Sequence, residues 1–314
     1  MDNLIFSLNA TVPIFLLMVL GFVFHKIGWI DDVFASKMNK FVFTVPLPVL
    51  VFKDLAEVDF RKAWDGKYVL FCVCVTLLSI LISTGISFIW RKKGIQGEFI
   101  QASYRSSAAL LGIAFIQNIY GTSGLAPLMI IGSVPLYNIM AVTVLELFKP
   151  GSKGISKKTV LETLKGIATN PILIGILTGI IWSLLRIPLG GILQKTVTSV
   201  GNVATPLGLM AMGATFDFRK AFGKIGPALA ATFMKLIGFA AIFLPLAVKL
   251  GYRDEQLVAT LVMLGSATTV SCFVMAKNMG HEGVVSSSVI MLTTLLSAFS
   301  LTFWLWLLRS MGLI

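Results

Sequence analysis

The sequence predicts an all-α polytopic membrane protein of ten transmembrane helices, arranged as two inverted five-helix repeats in which helices 4 and 9 are broken and cross. Three observations carry this. The composition is 56% hydrophobic and only 13% charged, with a mean hydropathy of +0.90, whereas soluble domains are about half apolar and about a quarter charged. Ten apolar runs approach the length of about 20 residues that a bilayer crossing needs. A long stretch also recurs: PVLVFKDLAEVDFRKA, Pro48 to Ala63, aligns with PLGLMAMGATFDFRKA, Pro206 to Ala221, 158 positions on. A period of that length marks a duplicated unit.

The first run, residues 4–24, carries Pro13 and Gly21, which meet Pro171 and Gly179 of the sixth run on the same offset. It lacks a basic leader and a small-residue cleavage site, so it reads as a retained span and not a signal peptide. The second run, 39–56, is short and interrupted by Pro46 and Pro48; the third, 68–90, is continuous. The fourth, 99–119, is dense in small and hydroxyl residues, and the fifth, 125–148, holds Val134-Pro135-Leu136-Tyr137-Asn138. A Pro-Gly-Ser-Lys-Gly loop follows. It divides the chain into a first repeat (1–148), a cytoplasmic linker (149–165) and a second repeat (166–314). The sixth run, 167–186, opens on Asn170-Pro171, a cap residue followed by proline at the first helical position. The seventh, 196–216, is short and contains Pro206; the eighth, 226–249, contains Lys235. The ninth, 256–277, repeats the composition of the fourth, and the tenth, 284–308, closes the chain.

Five spans per copy is an odd number, so the copies enter the membrane from opposite sides. The loops after spans 1, 3, 5, 7 and 9 hold 15 Lys and Arg residues and the other face 9. The positive-inside rule places the richer face in the cytoplasm and both termini outside, in the cytoplasmic membrane. The net charge of +12 is spread over these short loops, as topology requires, and does not point to nucleic acid. Cys72, Cys74 and Cys272 lie in apolar runs without paired spacing, which gives neither a disulfide framework nor a zinc site. The DFRKA pentads read as the ends of matching scaffold helices on opposite faces.

Inverted repeats with broken helices place a site at the bilayer midplane, so polar residues inside spans are the candidates. Shifted by 159, Ser107-Ala108 of span four meets Ser266-Ala267 of span nine. Ser106, Ser107, Ser266, Thr268, Thr269 and Ser271 could offer hydroxyls and backbone N–H groups to an anion; equally, small residues let helices pack without any ligand. Arg105 and Lys235 are the basic residues farthest inside spans, and either could supply positive potential; Arg105 could instead snorkel. Asn138 could orient a substrate or bond a neighbouring helix. Pro48, Gly112, Pro206 and Gly265 are the candidate helix breaks or hinges. No metal-binding cluster and no cofactor motif is read.

Enzyme chemistry is weighed against this. Gly121-Thr122-Ser123-Gly124 has the form of an intramembrane serine protease nucleophile, which needs a base in reach. His25 and His281 fall in loops on the opposite face, so a turn explains the motif better. Asp31-Asp32 has no second carboxylate cluster to support metal-assisted prenyl transfer.

The whole chain resembles the auxin efflux carrier family, whose bacterial members include malonate and malate permease relatives. The resemblance is carried by Asn170-Pro171, by Pro206-Leu207-Gly208-Leu209 to Gly213, by Lys235 to Pro245, by Ser271 to Ala276 and by Thr293-Thr294-Leu295-Leu296-Ser297. It implies a scaffold from spans 1, 2, 6 and 7, a transport part from spans 3–5 and 8–10, and an elevator-like movement of a site where spans 4 and 9 cross. Relatives commonly carry a proline at each break. Here Gly112-Ile113-Ala114 and Ser266-Ala267-Thr268 have none, so any break rests on Gly and Ser.

The reading is a non-enzymatic secondary carrier of a small organic anion, a carboxylate, embedded in the lipid bilayer. Coupling to H+ or Na+ and a homodimer are both compatible with it. A membrane anion sensor without transport, or a carrier of other amphipathic solutes on the same plan, are the alternatives.

Overall fold

The computed structural model describes residues 2–56, 65–108, 116, 119–120, 125–151 and 169–314. Gly112, the first DFRKA pentad, Gly121 to Gly124 and linker residues 152–165 lie outside these. All regular structure among the described residues is helical: α1 (Asp2–Lys26), α2 (Asp32–Thr44), α3 (Pro46–Ala56), α4 (Gly66–Ser87), α5 (Lys93–Tyr104), α6 (Ala126–Leu147), α7 (Pro171–Leu185), α8 (Gly191–Asn202), α9 (Ala204–Ala214), α10 (Phe218–Gly223), α11 (Ile225–Lys249), α12 (Asp254–Gly265), α13 (Ser271–Asn278) and α14 (Val284–Ser310). Among them α4, α6, α11 and α14 are long and apolar enough to cross a membrane, and the chain is an integral multi-pass membrane protein.

The proline-bearing runs are interrupted, but not at the expected residues. The second run bends at Val45 (φ −124°, ψ −70°), between α2 and α3. Pro46 opens α3 and Pro48 lies in its first turn, where a missing N–H has no intrahelical partner to lose. Likewise α8 gives way to α9 at Val203, and Pro206 lies in the first turn of α9. Proline here stabilises a helix start just after the bend and does not form the bend. The helices α3 and α9 begin and end 158 positions apart, and α6 and α14 begin 158 apart.

Packing repeats on the same register. Gly21 of α1 lies against Met210 of α9, and Gly179 of α7 lies against Phe52 of α3. Gly21 and Gly179 are 158 apart, as are Phe52 and Met210. Each N-terminal helix of one half thus packs on a helix of the other half. Bare Cα faces allow this close backbone approach.

Two large apolar cores result. One joins α4, α5, α6, α11, α12 and α14 through residues such as Tyr68, Phe99, Met129, Phe239, Leu261 and Trp304. The other joins α1, α2, α3, α7, α9 and α13 through Met18, Val42, Leu55, Ile176, Met212 and Phe273, with Leu145 of α6.

Helix starts follow local chemistry. The Asn170 side chain accepts from Ile172 N at 2.9 Å ahead of Pro171, and Asp65 accepts from Lys67 N and Tyr68 N at the start of α4. The second DFRKA pentad does not end a helix: Asp217 accepts from Arg219 N and Lys220 N and starts the short α10. An aspartate in extended backbone is a strong N-cap, which is why the chain restarts there.

Candidate functional site

In the runs expected as spans four and nine, a helix ends in each case without proline. Helix α5 ends at Tyr104, and Arg105 is extended (φ −75°, ψ 131°); α12 ends at Gly265, and Ser266 is extended (φ −78°, ψ 164°). The two extended segments meet, with Ser107 N–H donating to Ala267 O at 3.0 Å. Gly265 marks its break, but a Cβ there would meet only ordinary contacts, so neither space nor backbone angle demands glycine.

Hydroxyls replace the missing helical hydrogen bonds. Thr268 N–H donates to Thr293 Oγ1 at 3.0 Å, and Thr268 Oγ1 donates to Ala102 O at 2.9 Å. Tyr137 donates its phenol to Met263 O at 3.1 Å, and the Ser106 hydroxyl donates to the same carbonyl. An orphaned carbonyl at membrane depth is costly, so these side chains keep the break affordable.

Arg105 reaches across the crossing and is only 2% exposed. One nitrogen, Nη2, donates to Asn138 Oδ1 and Ser271 Oγ, both at 2.7 Å, and Nη1 donates to Met275 Sδ at 2.9 Å. Asn138 is oriented in turn by donating to Val134 O at 3.0 Å. The Arg105 Nε has no protein partner. A planar guanidinium held at its tips is pre-organised for a carboxylate.

These groups line a cavity of about 110 Å³. Its walls include Arg105, Ser106, Ser107, Asn138, Thr268, Thr269 and Ser271, with Tyr137 and Thr294 from the same side. Facing them are Val42, Leu47, Val51 and Asp54 from α2 and α3, and Thr205 from α9. Arg105 and Asp54 are the charged residues among the lining ones. The start of α13 is at this wall, so its N-terminal end presents positive potential to the cavity.

Two expected site residues lie elsewhere. Ser266 is fully buried, outside the lining, and its hydroxyl has no partner. Lys235 is fully buried behind the crossing. It lies in a π-helical turn, Met234–Gly238, of α11, and its Nζ donates to Leu264 O at 2.8 Å and to Ser106 Oγ, with Met263 O at 3.4 Å and Tyr104 O at 3.5 Å.

Sequence reasoning passed over Asp54, and Thr294, whose hydroxyl is buried without a partner. It also missed Glu98. This buried carboxylate accepts from Gly283 N at 2.8 Å and Ser286 N at 2.9 Å and so caps α14. Nothing in the local sequence names a partner 185 positions away.

A family model described as "Membrane transport protein" matches residues 6–305. Similar chains include an "Uncharacterized transporter" of Methanothermobacter thermautotrophicus, 22% identical over 306 residues, covering 95% of this chain and 97% of the relative. A "Putative malonate transporter" of Rhizobium meliloti is 24% identical over 315 residues, covering 96% of each.

Proposed function

Since the chain belongs to the membrane transport protein family, that of the auxin efflux carriers, we propose that it is a secondary carrier of a small organic anion bearing a carboxylate. The observation that carries this is Arg105, a buried guanidinium at the wall of a cavity beside a helix N-terminus. Arg105 would pair with the carboxylate, Asn138 and Ser271 would hold the guanidinium in place, and Ser107, Thr269 and the start of α13 would supply neutral donors. A cavity of about 110 Å³ has room for roughly four water-sized groups at about 30 Å³ each, which suits a short-chain acid. The name of the Rhizobium relative agrees with that class.

The architecture proposed with it is ten spans in two inverted repeats of 1–148 and 166–314, with both termini outside the cytoplasmic membrane of a prokaryote. The exchanged glycine contacts, Gly21 on Met210 and Gly179 on Phe52, support a two-fold relation between the halves. The cavity lies between residues of α2, α3 and α9 on one side and the broken spans on the other. That placement supports an elevator-like alternating-access movement of the second group against the first.

Proteoliposomes containing the protein test this with a panel of labelled mono- and dicarboxylates. Saturable uptake of at least one, lost in Arg105→Met, is expected. No uptake of any overturns the carrier reading, and saturable binding without uptake would favour an anion sensor.

A further inference from the structure

Lys235 has no role in the cavity, yet it is the most completely enclosed charge at the crossing. The oxygens around its Nζ are the carbonyls of Tyr104, Met263 and Leu264 and the Ser106 hydroxyl. Carbonyls have no proton to give, and the Ser106 hydroxyl donates its own to Met263 O. A neutral amine would turn its lone pair on an oxygen lone pair, so the site accepts an ammonium. Tyr104 is the last residue of α5, and Met263 and Leu264 are in the last turn of α12. The negative ends of two helix dipoles therefore converge on one nitrogen. The π-helical turn aims the side chain there, and Trp304 Nε1–H donates to Leu236 O at 3.0 Å within the same turn, which pins it.

In carriers built from broken helices, half-helix C-termini and unwound carbonyls are where a coupling cation is coordinated. We infer that Lys235 is a tethered cation: its ammonium fills the cation position at the crossing of spans four and nine, so transport needs no bound Na+ or K+ there. The inference rests on the carrier reading and sharpens it, since it removes an alkali ion from the coupling. It also moves Lys235 from substrate binding to positioning: the ammonium holds Ser106 and the two helix ends in the geometry that presents Arg105.

The test replaces Na+ and K+ by N-methyl-D-glucamine on both sides of proteoliposomes holding the full chain, with an acid selected from the panel above. Wild-type uptake is expected to change by less than about twofold. Lys235→Ala is expected to lose at least about tenfold, the scale of one buried charged hydrogen bond. Added Na+, Li+ or methylammonium should then restore a measurable part of uptake in the variant and leave the wild type unaltered. The same ions should raise the thermal midpoint of detergent-solubilised Lys235→Ala but not of wild type, a readout independent of transport. Wild-type uptake that requires Na+ or K+ overturns the inference and leaves the carrier reading standing. So does a folded Lys235→Ala with full uptake in the absence of small cations. If Lys235→Ala does not fold, the wild-type ion replacement decides alone. Absence of uptake under every ionic condition removes the carrier reading itself, while ion-dependent stabilisation of the variant would still support the cation site.

Discussion

The Cα of Gly21 lies so close to the main chain of Met210 that a Cβ on it would stand 2.2 Å from the Met210 carbonyl oxygen. The partner is backbone, which cannot rotate away. Gly213 faces the Met18 carbonyl in the same way, with a Cβ at 2.0 Å. Gly21→Ala and Gly213→Ala are therefore expected to destabilise by about 1–3 kcal/mol, as overpacking does. Thermal unfolding in detergent checks this against Gly85→Ala, where nothing lies within 4 Å of the added carbon and a neutral or stabilising change of up to about 1 kcal/mol is expected.

Asn138 is held by Val134 O and holds Arg105. In Asn138→Leu the guanidinium keeps Ser271 but loses its other charged hydrogen bond at Nη2, an effect of about 1.5–3 kcal/mol. The half-saturation concentration for the carboxylate should rise by about tenfold or more in initial-rate uptake, with the maximal rate changed less. An unchanged half-saturation would separate Asn138 from the site.

Arg105→Lys should not rescue uptake to the level of wild type. A single ammonium cannot reach Asn138, Ser271 and Met275 together as the planar fork does. Uptake below about one tenth of wild type, with the folded fraction unchanged by size-exclusion profile, is the expected result.

Glu98 accepts two N–H bonds at the start of α14. A glutamine there would turn an NH2 group toward one of those donors, so Glu98→Gln should cost about 1–3 kcal/mol in detergent unfolding. Hydrogen exchange should rise first at the start of α14.

Glu282 pairs with Lys224 at 2.5 Å, and that contact holds its carboxyl below the usual carboxylate range. A depressed carboxylate contributes stability above its unfolded pKa of about 4.3 and loses it as pH falls through the folded value. The pair is solvent-exposed on the glutamate side, so Glu282→Gln should lower the thermal midpoint only slightly at pH 7. The difference should shrink with added salt, begin to fall as the pH drops below the unfolded value, and vanish once the pH is below the depressed folded value.

Much of the fold was legible because it depends on composition. The long apolar helices announce themselves, and Asn170-Pro171 fixes a helix start by capping chemistry that needs no tertiary partner. The breaks near Pro48 and Pro206 were legible to within a turn, since proline marks a helix start as readily as an interruption. The hydroxyl-rich windows at Ser106 and Ser266 marked where α5 and α12 end, because hydroxyls are what a broken ladder requires. Lys235 was legible in depth but not in direction. Its partners are carbonyls of Tyr104, Met263 and Leu264, and a carbonyl is the same whatever side chain it belongs to. Glu98 was hidden for the corresponding reason: the groups it satisfies are main-chain N–H.

The bond from Ser107 N–H to Ala267 O has a consequence for inheritance. It joins two peptide groups, so drift in the side chains around it leaves it intact, and only proline at position 107 would delete the donor outright. The crossing can thus persist while the residues beside it diverge to suit other solutes.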